Sequence, residues 1–297
     1  MRKILITGGA GFIGSALTKE LKRQDYKTTI FDNLSLGKPE AEIPKHELFV
    51  GDVRSQKELG ECVEKFKPDI VIHLAALHYI PYCEANKRET LDVNVVGTQN
   101  VISAIEEITP KTRLIFSSSA AVYKDMPGVR VETDQLVPLD IYGISKLFAE
   151  NLINQSKIDY CILRLFNVFG PGDRNPHVVP MIVNQAKKDH KIKLGNIENA
   201  RDFVYVEDVA RGVSAVIDNW HAREVYNLGT GKSTTVKELA QIINEEIFNN
   251  SLSFESCQFL KRKKDRRDLV ANIDKLKSHT GWTSRVELVE GLKNSLK

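Results

Sequence analysis

Short β-branched apolar runs alternate with stretches of helical spacing through the first half of the chain. Residues 3–7 (KILIT), 28–31 (TTIF), 47–50 (ELFV), 69–74 (DIVIHL), 112–117 (TRLIFS) and 160–165 (YCILRL) read as strands. Their apolar character is nearly continuous, which predicts strands covered on both faces, as in a parallel sheet. Helical spacing falls between them, around 13–23, 55–66, 88–107 and 143–156. Strand–helix–strand repetition of this kind predicts an α/β fold, a doubly wound parallel sheet of Rossmann type. After about residue 168 the pattern changes, and Pro171, Gly172, Pro176 and Pro180 mark a loop-rich stretch. A helix is expected near 178–189, a strand–helix pair near 203–218, and a helix over 235–247 opened by Thr234 and Thr235 as caps. Residues 249–266 read as irregular and increasingly basic. The expected division is a larger unit over 1–168 and a smaller C-terminal α/β lobe over 169–297, with roughly 201–232 packing back onto the first.

Composition narrows the function classes. With 42% hydrophobic residues in 297, the chain can build a core without a disulfide or metal staple. Lys and Arg number 42 against 39 Asp and Glu, so the formal charge is only +3, which argues against a dedicated nucleic-acid binder. No apolar run approaches the roughly 18 residues of a membrane helix. Met1-Arg2-Lys3 before an apolar run imitates a secretory signal, but the glycines at 8, 9, 11 and 14 and the lack of a cleavage pattern favour a buried strand. Cys62, Cys83, Cys161 and Cys257 form no CxxC, which fits a reducing cytoplasm.

The chemistry begins at residues 7–14, Thr-Gly-Gly-Ala-Gly-Phe-Ile-Gly, between the first strand and the first helix. Gly8 permits the tight turn, Gly11 lets a pyrophosphate approach the backbone, and Gly14 lets helix and strand pack closely. Backbone N–H groups and the helix dipole then face the phosphates. Asp32 ends the second strand, 18 residues after Gly14. A carboxylate there accepts from the adenosine ribose hydroxyls and repels a 2′-phosphate, favouring NAD over NADP. Asp52, in Gly51-Asp52-Val53, is placed to reach the adenine.

Tyr142-Gly143-Ile144-Ser145-Lys146 places a tyrosine and a lysine four apart, on one face of a helix. An ammonium beside a phenol stabilises the phenolate and would make Tyr142 a general base near neutral pH. Ser117-Ser118-Ser119 lies just past a central strand, at the carboxyl edge where open α/β sheets bind ligands.

Taken together the motifs resemble the extended short-chain dehydrogenase/reductase family, in particular its NAD-dependent nucleotide-sugar epimerases of UDP-glucose (galactose) 4-epimerase type, and its dehydratases. TGGAGFIG (7–14), FDN (31–33), GDVR (51–54), HLAA (73–76), NVVGT (94–98), SSSAAVY (117–123), YGISK (142–146), RLFNVFGPG (164–172), RDFVYVEDVA (201–210) and YNLGTG (226–231) follow the family's order and spacing. The resemblance implies a catalytic triad of Ser119, Tyr142 and Lys146. It implies an NAD site lined by Gly8, Gly11, Phe12, Ile13, Gly14, Asp32, Asn33, Asp52, Val53, Leu74, Ala75, Ala76, Asn94 and Phe166, with Tyr142 and Lys146 reaching the cofactor. Asn167, Arg201, Arg262 and Asp265 would hold the nucleotide diphosphate of a sugar nucleotide, a UDP-sugar being favoured. The basic run around Arg262 leaves that register open, with a solvated strip as the alternative. His78 stands where UDP-galactose epimerases carry a lysine near the NAD phosphates; it serves there weakly or faces the substrate. His73, on a buried strand, reads as core. Family members are commonly homodimers through a four-helix bundle, here helices 88–107 and 143–156, with Ile102, Ile105 and Ile108 facing either the partner or the sheet.

Departures from the family narrow the reaction. The 4,6-dehydratases carry an Asp-Glu pair where this chain has Ala120 and Ala121, which move no proton. The expected activity is therefore C4 epimerisation through a transient 4-keto sugar. The alternatives are a nucleotide-sugar reductase or dehydrogenase, then a dehydratase or a non-catalytic dinucleotide sensor. The expected setting is cytoplasmic, with no membrane or nucleic-acid partner.

Overall fold

The computed structural model describes residues 2–36, 43–44, 47–260 and 265–296. Its centre is a seven-stranded sheet in the order Glu224–Leu228, Tyr160–Leu165, Arg113–Ser119, Ile70–His73, Lys3–Thr7, Lys27–Asp32, Leu48–Val50. Every neighbouring pair is parallel. The carboxyl ends therefore align on one edge, with Thr7 beside His73, Asp32 beside Val50 and Ser119 beside Leu165. All six expected strands are present. The seventh, Glu224–Leu228, brings the second half of the chain back into the sheet beside Tyr160–Leu165.

Helices cover both faces, as the continuous apolar runs require. On one face, Leu17 and Leu21 meet Val209, Val213, Val216 and Ile217 of the Val206–Asp218 helix, and Tyr226 and Trp282 join the same core. On the other, Leu59, Val63, Val101, Ile102, Ile105 and Ile153 pack together. Each fully buried aliphatic side chain contributes roughly 1.5–3 kcal/mol. Ile102 and Ile105 thus face the sheet, and Ile108 stands at the rim, 36% exposed.

Two expectations need correction. The helix expected over 88–107 is segmented into Lys87–Leu91, a π-helical turn at Asp92–Val96 and Gly97–Ile108. Residues 249–266 are not wholly irregular, because Ser253–Ser256 pairs in parallel with Lys191–Leu194. The C-terminal lobe has a separate core of Ile182, Ala186, Ile192, Leu194, Leu239 and Ile243. Its Val236–Phe248 helix starts in a reciprocal cap between Thr235 and Glu238, while Thr234 belongs to a short strand.

Candidate active site

A cleft of about 690 Å³ runs along the carboxyl edge of the sheet, between it and the C-terminal lobe. That volume suits a small-molecule ligand. Its first half is built from backbone. Gly11 is the N-cap of the Phe12–Arg23 helix and contributes no capping side chain, so the N–H groups of the first turn open toward the cleft. A Cβ on Gly14 would stand 2.4 Å from Gly8 O, and one on Gly8 would stand 2.6 Å from Ala75 N. Only hydrogen at these positions lets turn, helix and neighbouring strand meet. Asp32 closes this half: Oδ2 accepts from Ala10 N at 3.0 Å and Oδ1 from Leu34 N at 2.8 Å. Burial pushes its carboxyl above the ordinary value, and these two N–H groups oppose that rise. The cradle and the acceptor beyond it fit a dinucleotide with free ribose hydroxyls.

Asp52 lines the same half, but its carboxylate is already engaged. Arg54 donates to both oxygens, at 2.9 and 2.7 Å, and Asn33 Nδ2 donates at 2.9 Å. The guanidinium holds the Asp52 carboxyl far below the usual range. The Asp-x-Arg spacing is visible in the sequence, and the structure adds Arg54 as the partner of Asp52.

The catalytic helix, Ile141–Gln155, is capped by Asp140, which accepts from Gly143 N at 2.8 Å. A Cβ on Gly143 would lie 2.4 Å from Ala121 O, so glycine in YGISK lets this helix press against the loop after the Ser119 strand. That contact sets Tyr142 and Ser119 on the same wall of the cleft. Ser119 Oγ also accepts from Ala121 N at 3.1 Å, which fixes its rotamer. Lys146 donates to Ser117 O at 2.7 Å and lies 4.8 Å from the Phe116 ring centroid. Burial brings its ammonium down to about 7. Burial also raises the Tyr142 phenol well above its ordinary value, against the neighbouring Ser119 hydroxyl, which lowers it. In the chain alone, desolvation thus outweighs the phenolate stabilisation expected from YxxxK.

Behind this triad lies a buried network. Glu150 takes Arg164 Nε at 3.0 Å and Nη2 at 2.8 Å, and Ser118 Oγ bonds to the same carboxylate. Arg164 continues to the Tyr123 hydroxyl, 3.1 Å away, and Tyr123 to Asn227 Oδ1 at 2.6 Å. Arg266 donates to Ala121 O at 2.6 Å and approaches Asp140 at 3.6 Å, tying the C-terminal lobe to the cap of the catalytic helix.

The second half of the cleft is assembled from side chains. Arg201 Nη2 donates to Asp265 Oδ1 at 2.6 Å, and Asn196 and Asn199 donate to Asp265 Oδ2 at 3.0 and 2.7 Å. Asn167 and Phe166 line the wall between the halves. His78 lines it as well, against the loop that carries Asp173, Asn175 and His177. It belongs to the lobe side, and burial with the neighbouring His177 lowers its imidazole to about 4. A ring that is neutral near pH 7 offers a hydrogen-bond donor where a lysine would offer a charge.

The cleft therefore gathers all the expected site residues but two. Asn94 is buried behind the wall, accepting from Leu77 N and donating to Leu77 O, both at 2.8 Å, and to Ser145 Oγ at 2.9 Å. It sits in the π-helical turn and braces the loop of residues 74–78 against the catalytic helix. Arg262 lies outside the described residues.

Comparison with known proteins agrees with this geometry. The model of the NAD dependent epimerase/dehydratase family matches residues 4–229. A protein of Methanocaldococcus jannaschii, provisionally named a UDP-glucose 4-epimerase, is 34% identical over 98% of this chain and 96% of its own length. The UDP-glucose 4-epimerase of Thermotoga maritima, solved with UDP-glucose, superposes with a TM-score of 0.90 at 28% identity, covering 99% of this chain and 97% of that one. The Thermus thermophilus UDP-glucose 4-epimerase, solved with NAD, gives 0.89 at 27% identity over the same shares. Its glycine cradle, its Ser–Tyr–Lys seam and these matches make the chain a member of the NAD-dependent epimerase/dehydratase family.

Proposed function

We propose that this protein is an NAD-dependent nucleotide-sugar epimerase that inverts C4 of a UDP-hexose. The observation that carries the reading is the convergence of Ser119, Tyr142 and Lys146 on one cleft at the carboxyl edge of the sheet, beside the glycine cradle. Tyr142 takes the proton from the C4 hydroxyl, and Ser119 donates to the C4 oxygen as it becomes a carbonyl. Lys146, anchored on Ser117 O, sets the charge around the phenol. When bound, NAD supplies the hydride acceptor at C4 and the donor for return to the opposite face. Arg201, steadied by Asp265, holds the diphosphate while the 4-keto sugar turns over. Residues 1–168 hold the cofactor, and 169–297 hold the nucleotide sugar. Ala120 and Ala121 offer no acid to a departing hydroxyl, which supports epimerisation over dehydration.

The enzyme acts in the cytoplasm as a homodimer. Among the described residues no helix is long and apolar enough to cross a membrane. Leu91, Val96, Ile144 and Phe148 stand exposed, up to 56% for Phe148, on the helices expected to form the bundle. Phe148→Glu should convert a dimer into a monomer by light scattering, and an unchanged mass would remove the bundle. For the activity, purified protein without added cofactor would be incubated with a panel of nucleotide sugars. The C4 configuration would be followed by proton NMR. Interconversion of one C4 pair without net redox supports the epimerase. Steady oxidation of added NADH by a 4-keto nucleotide sugar would assign a reductase.

A further inference from the structure

Two histidines near the catalytic helix use their ring nitrogens differently. His73 is fully engaged by the protein, with Thr7 Oγ1 at 2.6 Å from Nδ1 and Thr98 Oγ1 at 3.0 Å from Nε2. Thr98 spends its own proton on Asn94 O, at 2.7 Å, so the His73 proton sits on Nε2 and Nδ1 accepts from Thr7. Nothing of His73 is left for a ligand.

His78 has one nitrogen committed. Asn175 Nδ2 lies 3.3 Å from His78 Nε2. A carboxamide NH2 only donates, so Nε2 accepts and the neutral ring carries its proton on Nδ1. No described residue takes up Nδ1, and the ring lines the cleft that holds Tyr142 and Phe166. Asn175 is itself held by its backbone N–H, which donates to Asp173 Oδ1 at 3.1 Å. Asp173 Oδ2 meets His177 Nδ1 at 2.8 Å, and the His177 ring packs on His78 with centroids 5.3 Å apart. One carboxylate thus organises both loop residues that touch His78. Burial, then His177, keep the His78 imidazole at about 4, with Lys146 adding to the lowering and Asp173 opposing it.

We propose that His78, fixed as its Nδ1–H tautomer by Asn175, donates a hydrogen bond to an oxygen of the bound sugar and thereby makes the 173–177 loop a determinant of sugar choice. The inference rests on the nucleotide-sugar reading above and adds the group that reads the sugar. A neutral N–H matches a hydroxyl or carbonyl oxygen and offers no charge to a uronate carboxylate. The ligand atom it fits is therefore an oxygen acceptor of the sugar.

The tautomer is tested without turnover, by long-range proton–nitrogen NMR of the imidazoles in nitrogen-15-labelled protein. The His78 signals are assigned by their loss in His78→Asn. The expected pattern between pH 6 and 8 is a protonated Nδ1 and a bare Nε2. A proton on Nε2, or on both, overturns the proposal. Asn175→Asp replaces the donor with an acceptor and should move the proton to Nε2. Steady-state kinetics supply the second arm. His78→Leu should raise KM for the sugar nucleotide about tenfold with kcat within about threefold, whereas His78→Asn, which keeps a donor near the Nδ1 position, should stay within about threefold of the parent KM. Equal KM values for the two variants would show a purely steric wall and overturn the donor role. If the parent protein turns over no nucleotide sugar, the epimerase reading fails and the sugar contact falls with it, whereas a proton on Nε2 in an active parent overturns the His78 proposal alone.

Discussion

The two halves of the cleft solve binding with different materials. The half proposed for the cofactor presents backbone: an uncapped helix start, glycines packed at 2.4–2.6 Å virtual Cβ distances, and one carboxylate fixed by two N–H groups. The half proposed to take the substrate presents side chains held by other side chains, as when Asp265 gathers Arg201, Asn196 and Asn199. Backbone geometry constrains the sequence locally and leaves a motif. Side-chain clusters draw residues from distant segments, so single members sit in short motifs while their pairing shows only in the fold. Cofactor recognition is therefore fixed by fold, while sugar and nucleotide choice can vary through a few pairs in the lobe.

The largest effect is expected at the seam between the halves. Tyr142→Phe removes the proton acceptor and should lower kcat by roughly 10²–10⁴. NAD content and UDP-sugar affinity should hold, as measured by cofactor release on denaturation and by calorimetry. A variant that keeps full turnover would break the assignment of Tyr142 as base.

A pair of substitutions then separates the halves. Asp265→Ala leaves Arg201 without its 2.6 Å carboxylate and should raise KM for the sugar nucleotide about tenfold, with NAD content unchanged. Asp32→Ala should do the reverse, releasing NAD on gel filtration while KM for the sugar nucleotide holds at saturating NAD. If either variant alters both ligands equally, the division between halves is wrong.

The smallest effect is one of pH on stability. Burial depresses Lys146 from 10.5 to about 7. Between those values the unfolded chain binds the extra proton, so this lysine makes stability rise with pH. Below about 7 both states hold the proton and its full destabilising contribution is present. Lys146→Met removes the group, so its stability advantage over the parent should shrink by about 1 kcal/mol per pH unit between pH 7 and 9. Denaturant titration of cofactor-free protein reads this directly, and parallel curves would mean that Lys146 is not desolvated.

Much of this was legible in the sequence, and for a definable reason. Strand ends, the glycine turn, Asp32 and the Ser119–Tyr142–Lys146 set lie in contiguous motifs tied to secondary structure. What escaped depends on topology. Asn94 carries the right motif yet spends its amide on Leu77 and Ser145, from a π-helical turn behind the wall. Asn175 and His78 are 97 residues apart, and only the closure of the lobe joins them. Arg266 stands in a basic stretch of sequence with nothing local to mark it, yet it is buried against Ala121 O and Asp140. The strand at Ser253–Ser256 carries little apolar signal, since its pairing with Lys191–Leu194 arises at the edge of the lobe.

The most direct test follows one hydrogen. A UDP-hexose labelled with deuterium at C4 would be incubated with the protein in ordinary water, and the product C4 epimer examined by NMR. The account predicts full retention of deuterium at C4 in the inverted product, because hydride leaves and returns within one closed cleft while only the hydroxyl proton passes through Tyr142. Inversion with loss of deuterium to solvent would show proton chemistry at C4 and would contradict it.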